Sequence, residues 1–511
     1  MPVFSLPGPY GIGDLGPEAH SFIDFLAAAR QSCWQILPIG PTNEGLGHSP
    51  YMSASALAGN PLLISPDLLV AEGLLRKNEI PPAHFSEFFV DYEQVAVYKN
   101  AILDLAWKNF CTIGITQAFD QFLTTHEWAR EYALYLAIKN KFTGASWCEW
   151  PKALRQRENK ALSEAKDELQ DEIRRHAFSQ FIFCKQWQEL HSYAKKQGIA
   201  LVGDLPIYVA HDSVDVWANQ DIFALDPISG QPIAVAGVPP DYFSATGQRW
   251  GNPLYRWNSN DKVVQNQIVD WWEKRFRQNF FYTDTLRIDH FRGFESYWSI
   301  PAEEETAING SWEPGPGLSF FVAIESRLGH NISVIAEDLG VITSAVSNLR
   351  DTLGYPGMKI LLFAFDGQPD NGYLPYNCSK DSVMYTGTHD NETAVGWYLN
   401  PAVNHAFKRQ AKQFANKDND DAGSFHLDLL YLAMSSPSNL VVFPMQDLLG
   451  FGNDCRMNTP GKSEGNWMWR CPLHCINSGL ATGLKECTRF FARDFTRAQK
   501  NERSEDGNPL A

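Results

Sequence analysis

TLRIDHFRGFE, residues 285–295, opens with a short apolar, β-branched run and turns charged at Asp289. A buried strand has that composition, and side-chain alternation puts Arg287 and Asp289 on the same side of it. Two later segments repeat the pattern: SVIAEDLG at 333–340 and SVMYTGTHDNET at 382–393. Each places carboxylates just where its apolar run stops. A (β/α)8 barrel assembles its site in this way, from acids at the carboxyl ends of successive parallel strands.

Reading outward from 285–295, short apolar runs recur at 2–7, 33–41, 199–209, 334–339, 358–366, 382–390 and 440–447. With the opening stretch these make eight. Amphipathic helical patterns lie between several of them, at 18–30, 264–280 and 344–353. Strands alternating with helices predict a parallel sheet, and a count of eight predicts an α/β fold of the (β/α)8 TIM-barrel type spanning 1–511 as one catalytic domain. The uneven spacing locates two insertions. Residues 62–190, between strands two and three, carry Lys, Glu, Gln, Ala and Trp at helical spacing and predict a mostly helical subdomain. Residues 208–260, between strands three and four, are rich in Pro, Gly and aromatics and predict long loops over the barrel mouth, where substrate-covering segments sit. The tail beyond 495 is polar and is expected to fray.

Composition narrows the function. The 511 residues are 44% hydrophobic and 13% aromatic, ample for a large core. The 16 Trp and 18 Tyr fit a surface that stacks on sugar rings as well as they fit a large barrel. A net charge of −16 argues against nucleic acid and anionic membranes as partners. Nine scattered Cys give no disulfide framework and suggest a reducing compartment. No Lys or Arg precedes Arg30 and no apolar run nears the ~18 residues of a membrane span, so neither a secretory signal nor a spanning helix is expected.

Three motifs weaken on inspection. Gly11-Ile-Gly13-Asp-Leu-Gly16 matches the dinucleotide fingerprint, but Pro17 follows at once and no strand ends in an acid some 20 residues on. The 418–423 segment hints at a calcium loop, yet Leu429 stands where the bidentate Glu belongs. Cys471-Pro-Leu-His-Cys475 lacks the second ligand pair that zinc needs. No metal and no cofactor is expected.

The acid-bearing segments hold up better. An Arg beside Asp289 keeps that carboxylate ionised and oriented, as a nucleophile requires; a structural ion pair inside a barrel is the plainer alternative. Of Glu337 and Asp338 only one can point inward. Glu337 suits a general acid with a raised pKa, and Asp338 suits a helix N-cap. His389 and Asp390 can bind adjacent sugar hydroxyls or simply form a turn. Asp204, closing strand three, serves either the barrel or the site. Carboxylates and an Arg converging on one point are the chemistry of glycosidic-bond cleavage.

RIDHFRGFE, AEDLG and GTHDN in this order resemble the α-amylase superfamily. Longer segments, among them YGIGDLG (10–16), SPYMSASALAGNPLL (49–63), GVPPDYFSATGQRWGNPLYRW (237–257), PMQDLLGFGNDCRMNTPG (444–461) and GNWMWR (465–470), narrow the resemblance to the 4-α-glucanotransferases, or amylomaltases. It covers residues 4 to about 495. It implies Asp289 as the nucleophile of a covalent glucosyl-enzyme, Glu337 as acid/base and Asp390 as the acid that stabilises the distorted sugar. It further implies Arg287 and His389 as flanking sugar ligands, Tyr51 as an aromatic platform, Asp241 and Trp250 in a loop closing over the glucan, and Ser49, Asp366 and Asn466 as contacts to hydroxyls. The implied substrates are maltooligosaccharides, amylose and other α-1,4-glucans, with glucose as an acceptor. The implied compartment is a cytoplasm, or a plastid stroma after loss of a transit peptide. The resemblance also implies carboxylates about 5 Å apart, as in retaining enzymes.

Two features depart from that pattern. The chain begins close to strand one, as a trimmed or processed form would, and Met52 stands where many relatives have Gln. Two rival readings share the acids: an amylase-like hydrolase, and a glucan-binding protein without turnover. Product lengths separate the first, and turnover the second.

Overall fold

The computed structural model describes residues 1–114, 116–240, 244–462 and 464–494. Seven short parallel strands form the centre: β1 (Cys33–Gln35), β2 (Ala200–Leu205), β5 (Thr285–Ile288), β8 (Val334–Ala336), β9 (Gly357–Ile360), β10 (Ser382–Tyr385) and β11 (Leu440–Val442). They pair in that order. β3 (Ala234–Val238), β4 (Gln248–Pro253), β6 (Ser296–Pro301) and β7 (Ser311–Pro314) make a separate antiparallel sheet in the order β4-β3-β6-β7. Helices on the outside of the parallel sheet include Pro17–Ala28, Lys262–Tyr282 and Ser344–Leu353, and their termini follow sequence chemistry. Pro17 opens the first, Asp261 caps the second through the Val263 amide, and Thr343 caps the third through the Val346 amide.

Four findings differ from the sequence reading. The run at 2–7 is not a strand. Pro2 and Pro7 bracket it, and Val3–Ser5 form a 3-10 turn instead. Among the described residues no ladder joins β11 to β1; a pocket lined in part by Met1, Ile36, Val442 and Phe443 lies at that seam. The barrel is therefore nearly closed rather than complete. The 208–260 segment is more ordered than loops: it contributes β3 and β4, and its Gly237 pairs with Trp298 of β6. Asp338 does not cap the following helix. Its carboxylate pairs with Arg350 and accepts the Met358 amide at 2.7 Å, tying β8 to β9.

Among the described residues seven α-helices lie between β1 and β2, Tyr92–Ile113 and Gln170–Lys196 being two of them. Phe110, Phe178, Phe183 and Trp187 bury against Leu6, Phe22 and Trp34, fastening this helical region to the first turns of the chain. A second core, around Trp217, Trp272, Phe276, Ile288 and Phe294, fills the β2–β8 side. A third, around Met358, Met384, Phe425 and Leu429, fills the β9–β11 side. No helix of the described residues is long and apolar enough to cross a membrane.

Candidate active site

Parallel register sets one wall. Asp204 on β2 lies beside Arg287 on β5, and Ile288 on β5 beside Ala336 on β8. Asp289 and Glu337, each one residue further, therefore emerge level with one another at the carboxyl end of the sheet. Main-chain bonds confirm the level: the Asp289 amide donates to Leu205 O at 3.0 Å and the Glu337 amide to Ile288 O at 3.0 Å.

Arg287 organises the charges. Its Nη1 reaches both Asp204 oxygens at 2.8 Å and Asp289 Oδ1 at 2.9 Å. Arg287 and Asp204 are buried, while the Asp289 side chain keeps 27% of its surface open to the mouth. A buried cation between two carboxylates is stable only while both remain; removing one partner from such a group costs about 3–5 kcal/mol. Burial raises the Asp204 pKa against the pull of Arg287, and burial alone would lower that of Arg287, yet Asp204 and Asp289 hold the guanidinium well above its ordinary value.

Glu337 is held by backbone. Its Oε2 accepts the His290 amide at 2.7 Å and its Oε1 the Leu339 amide at 2.9 Å. His290 adopts a left-handed conformation, φ +50°, which a non-glycine side chain disfavours by about 1–2 kcal/mol. That turn aims its N–H at the carboxylate. Burial, helped by Asp289 and opposed by Arg287, raises the Glu337 pKa to about 7. Burial also lowers His290 to about 4, so its ring is neutral near pH 7. Trp250 meets that ring edge-on, centroids 5.0 Å apart.

The opposite wall is built on loops. Asp390 lies beyond the end of β10, its side chain 45% exposed. His389 Nε2 is 3.4 Å from Asp390 Oδ1, and the His389 ring stacks on Tyr51, centroids 5.1 Å apart. The Tyr51 hydroxyl donates to Asp204 Oδ2 at 2.8 Å, joining the two walls. Trp467 tilts against both rings at 5.8 and 5.7 Å.

Arg287, Asp289, Glu337, His389, Asp390, Tyr51 and Trp250 thus share one mouth. The others stand differently. Ser49 Oγ accepts the Tyr51 amide at 3.3 Å and so helps to shape the backbone that carries that ring. Asp366 is exposed and closes a turn onto the Gln368 amide. Both polar atoms of Asn466 are spent inside its own loop, on the Thr459 amide and Lys462 O. Asp241 lies outside the described residues. Met52 sulfur faces the Asn252 amide at 3.3 Å. Sequence reasoning passed over Arg456, Asn458 and Trp467, although all three stand in segments that carried the resemblance. No charge pattern marks them: Arg456 bonds main-chain carbonyls, Trp467 meets rings, and the carboxylate that Asn458 reaches, Asp390, is far away in sequence.

Among the described residues no group of three His, Cys, Asp or Glu is placed to hold a metal ion, and all nine cysteines are unpaired. A carboxylate held by Arg287, a second carboxyl with a pKa near neutrality and an aromatic ring beside them, all at the carboxyl end of a parallel barrel, make a candidate site for cleaving a glycosidic bond. The comparisons narrow the class. A family model described as 4-alpha-glucanotransferase matches residues 1–475. The 4-alpha-glucanotransferase of Synechocystis sp. is 48% identical over 502 residues, 96% of each chain. The chloroplastic/amyloplastic 4-alpha-glucanotransferase of Arabidopsis thaliana is 42% identical over 484 residues, 94% of this chain and 82% of its own. The amylomaltase of Streptococcus agalactiae, solved in complex with acarbose, superposes with a TM-score of 0.91 at 38% identity, covering 96% of this chain and 98% of its own. The chain belongs to the 4-alpha-glucanotransferase family.

Proposed function

We propose that the chain transfers α-1,4-glucan segments by a retaining double displacement in which Asp289 attacks, Glu337 donates and later recovers a proton, and Asp390 stabilises the strained sugar. The observation that carries this reading is the Arg287 cluster: one guanidinium orients Asp289 while Glu337, level with it, titrates near 7. Asp289 then attacks the anomeric carbon as Glu337 protonates the departing glucosidic oxygen. The leaving glucan carries that proton away, and a glucosyl ester remains on Asp289. Glu337, now ionised, removes the proton from the 4-OH of an incoming glucan or glucose, whose oxygen displaces Asp289 and restores the α-linkage. Arg287 and His389 flank the sugar, and Tyr51 lies beneath it. Trp250 lines the approach, Asp241 is assigned by the resemblance to the loop that closes over the glucan, and Ser49, Asp366 and Asn466 are assigned to contacts with sugar hydroxyls. Transfer prevails over hydrolysis when an acceptor stacked in the mouth excludes water from the ester.

Maltooligosaccharides and amylose are the proposed donors, and glucose and shorter glucans the acceptors. Unpaired cysteines and the names of the relatives support a bacterial cytoplasm or a plastid stroma as the compartment. Incubation with pure maltotriose tests the whole reading. Glucose together with maltopentaose and longer chains is expected. Glucose and maltose alone would make the protein a hydrolase, and binding without turnover would make it a glucan-binding protein.

A further inference from the structure

Asp390 is the catalytic carboxylate with the weakest attachment to the barrel. Within its own loop, the Thr388 amide and hydroxyl both bond Asn391 Oδ1, and the Asp390 amide donates to Thr388 Oγ1 at 3.3 Å. Those bonds shape a turn without fixing where the turn sits. Three bonds tie the Asp390 turn to 456–458, the segment following β11 and the short helix Met445–Leu449, and a fourth lies within that segment. Arg456 Nη2 donates to Asp390 O at 2.6 Å, and Arg456 Nε donates to Asn458 O at 2.7 Å. The Asn458 amide donates to His389 O at 3.1 Å, and its side-chain Nδ2 donates to Asp390 Oδ1 at 2.5 Å. Elsewhere the segment is moored by Gln446, which donates to Cys455 O at 3.1 Å, and by the Trp467 amide, which donates to Met457 O at 2.8 Å.

We infer that Arg456 is a positioning residue for the transfer reaction: its half-buried guanidinium clamps the Asp390 and Asn458 carbonyls together so that Asn458 Nδ2 holds one oxygen of the Asp390 carboxylate. The inference rests on Asp390 acting in the transition state, as proposed above. The geometry suits this role better than a surface charge would. Both Arg456 bonds go to main-chain carbonyls, and no carboxylate lies within 4.0 Å of the guanidinium among the described residues. Arg presents its donors in a rigid fork, which spans two carbonyls where the single ammonium of Lys cannot. With Oδ1 engaged, Asp390 offers its other oxygen to the sugar in a fixed direction. The interaction is therefore worth most when the ring is distorted, and it acts on kcat rather than on ground-state binding.

The test is maltotriose disproportionation by Arg456→Ala, Arg456→Lys, Asn458→Ala and the Arg456→Ala/Asn458→Ala double variant. Thermal unfolding is measured alongside. Arg456→Ala is expected to lose about 10²-fold in kcat with KM within about threefold. Arg456→Lys should recover part of that loss, and millimolar methylguanidine should restore Arg456→Ala at least severalfold. The double variant should be little worse than the poorer single variant, since both residues act through one carboxylate. Additive losses, a parallel rise in KM, or a kcat within about threefold of the parent would overturn the inference. If Arg456→Ala does not fold, the Asn458→Ala and Arg456→Lys variants decide it, because an unchanged kcat in both is incompatible with the clamp. Failure of the unmodified protein to lengthen maltotriose would instead remove the transferase reading, independently of Arg456.

Discussion

The two walls of the active site are built on different principles. On the β2–β5–β8 side the carboxylates stand one residue beyond paired strands, and register fixes their height. On the β10–β11 side Asp390 stands five positions past the last residue of β10 and is located by bonds between loops. The strand-built wall is rigid because moving Asp289 would break a ladder and strand a buried cation. The loop-built wall can shift without opening the sheet, so its accuracy depends on a few donors. Such a division suits a double displacement. Nucleophile and acid need fixed separation, while the groups that grip a changing sugar ring benefit from some play.

The most severe way to break this comparison is Asp289→Asn. The variant keeps the shape of the strand-built wall but removes the proposed nucleophile, and one arm of the Arg287 cluster becomes neutral. Transfer from maltotriose should fall by roughly 10⁴-fold or more, read as the rate of maltopentaose formation. Residual transfer within tenfold of the parent would mean that another group attacks.

Arg287→Lys probes the same wall without touching a reacting atom. All three contacts come from Nη1, which the planar guanidinium holds in place, and the flexible stem of a lysine does not fix its ammonium at that point. A loss of roughly 10²–10³ in kcat is expected, with a lower unfolding temperature because Asp204 is left underpaired in the interior. A merely structural ion pair would show the second effect without the first.

How much of this was legible in the chain follows the same division. The strand-built wall could be read from TLRIDHF and SVIAEDLG, because alternation and the end of an apolar run place a side chain without any knowledge of neighbours. What escaped was decided by partners far away in sequence. Pro2 and Pro7 turned an apolar run into a 3-10 turn, so the first of the eight strands is absent from the ladder. Residues 234–238 looked like loop because one of their partners, 296–301, lies beyond β5 in sequence, and 248–253 pair with 234–238. Asn466 matched a motif yet bonds only its own loop, whereas Asn458, eight positions earlier, reaches Asp390. Nothing in local composition distinguishes two asparagines in a Gly- and Pro-rich loop.

Glu337 sharpens the comparison through pH. Its acid form must donate, and its pKa is raised to about 7 chiefly by burial. The transfer rate should therefore decline above pH 7, approaching tenfold per unit. Stability should follow the same group. Its folded pKa lies above the ordinary carboxyl value of about 4.3, so its stabilising contribution is complete below that value and is lost as pH rises through about 7. Glu337→Gln should abolish transfer yet unfold at a higher temperature than the parent at pH 8. A pH–rate profile flat from 6 to 9 would show that Glu337 is not the proton donor.

The smallest expected effect lies where the walls meet. Tyr51 bonds Asp204 on one side and stacks on His389 on the other, and its hydroxyl is the only side-chain hydrogen bond found between the two walls among the described residues. Tyr51→Phe retains the ring, and with it the platform and the stack, but releases Asp204 Oδ2. A hydrogen bond of this kind contributes about 0.5–1.5 kcal/mol, so kcat/KM should fall by roughly three- to tenfold. Tyr51→Ala would remove the platform as well and should raise KM for maltotriose far more than Tyr51→Phe does. If the walls are coupled through this hydroxyl, combining Tyr51→Phe with Arg456→Ala should cost more than the two separate losses multiplied, since each wall then loses its tie to the other. Independent, multiplicative losses would show that the walls are aligned by the barrel alone, and that Tyr51 serves only as the surface on which the sugar rests.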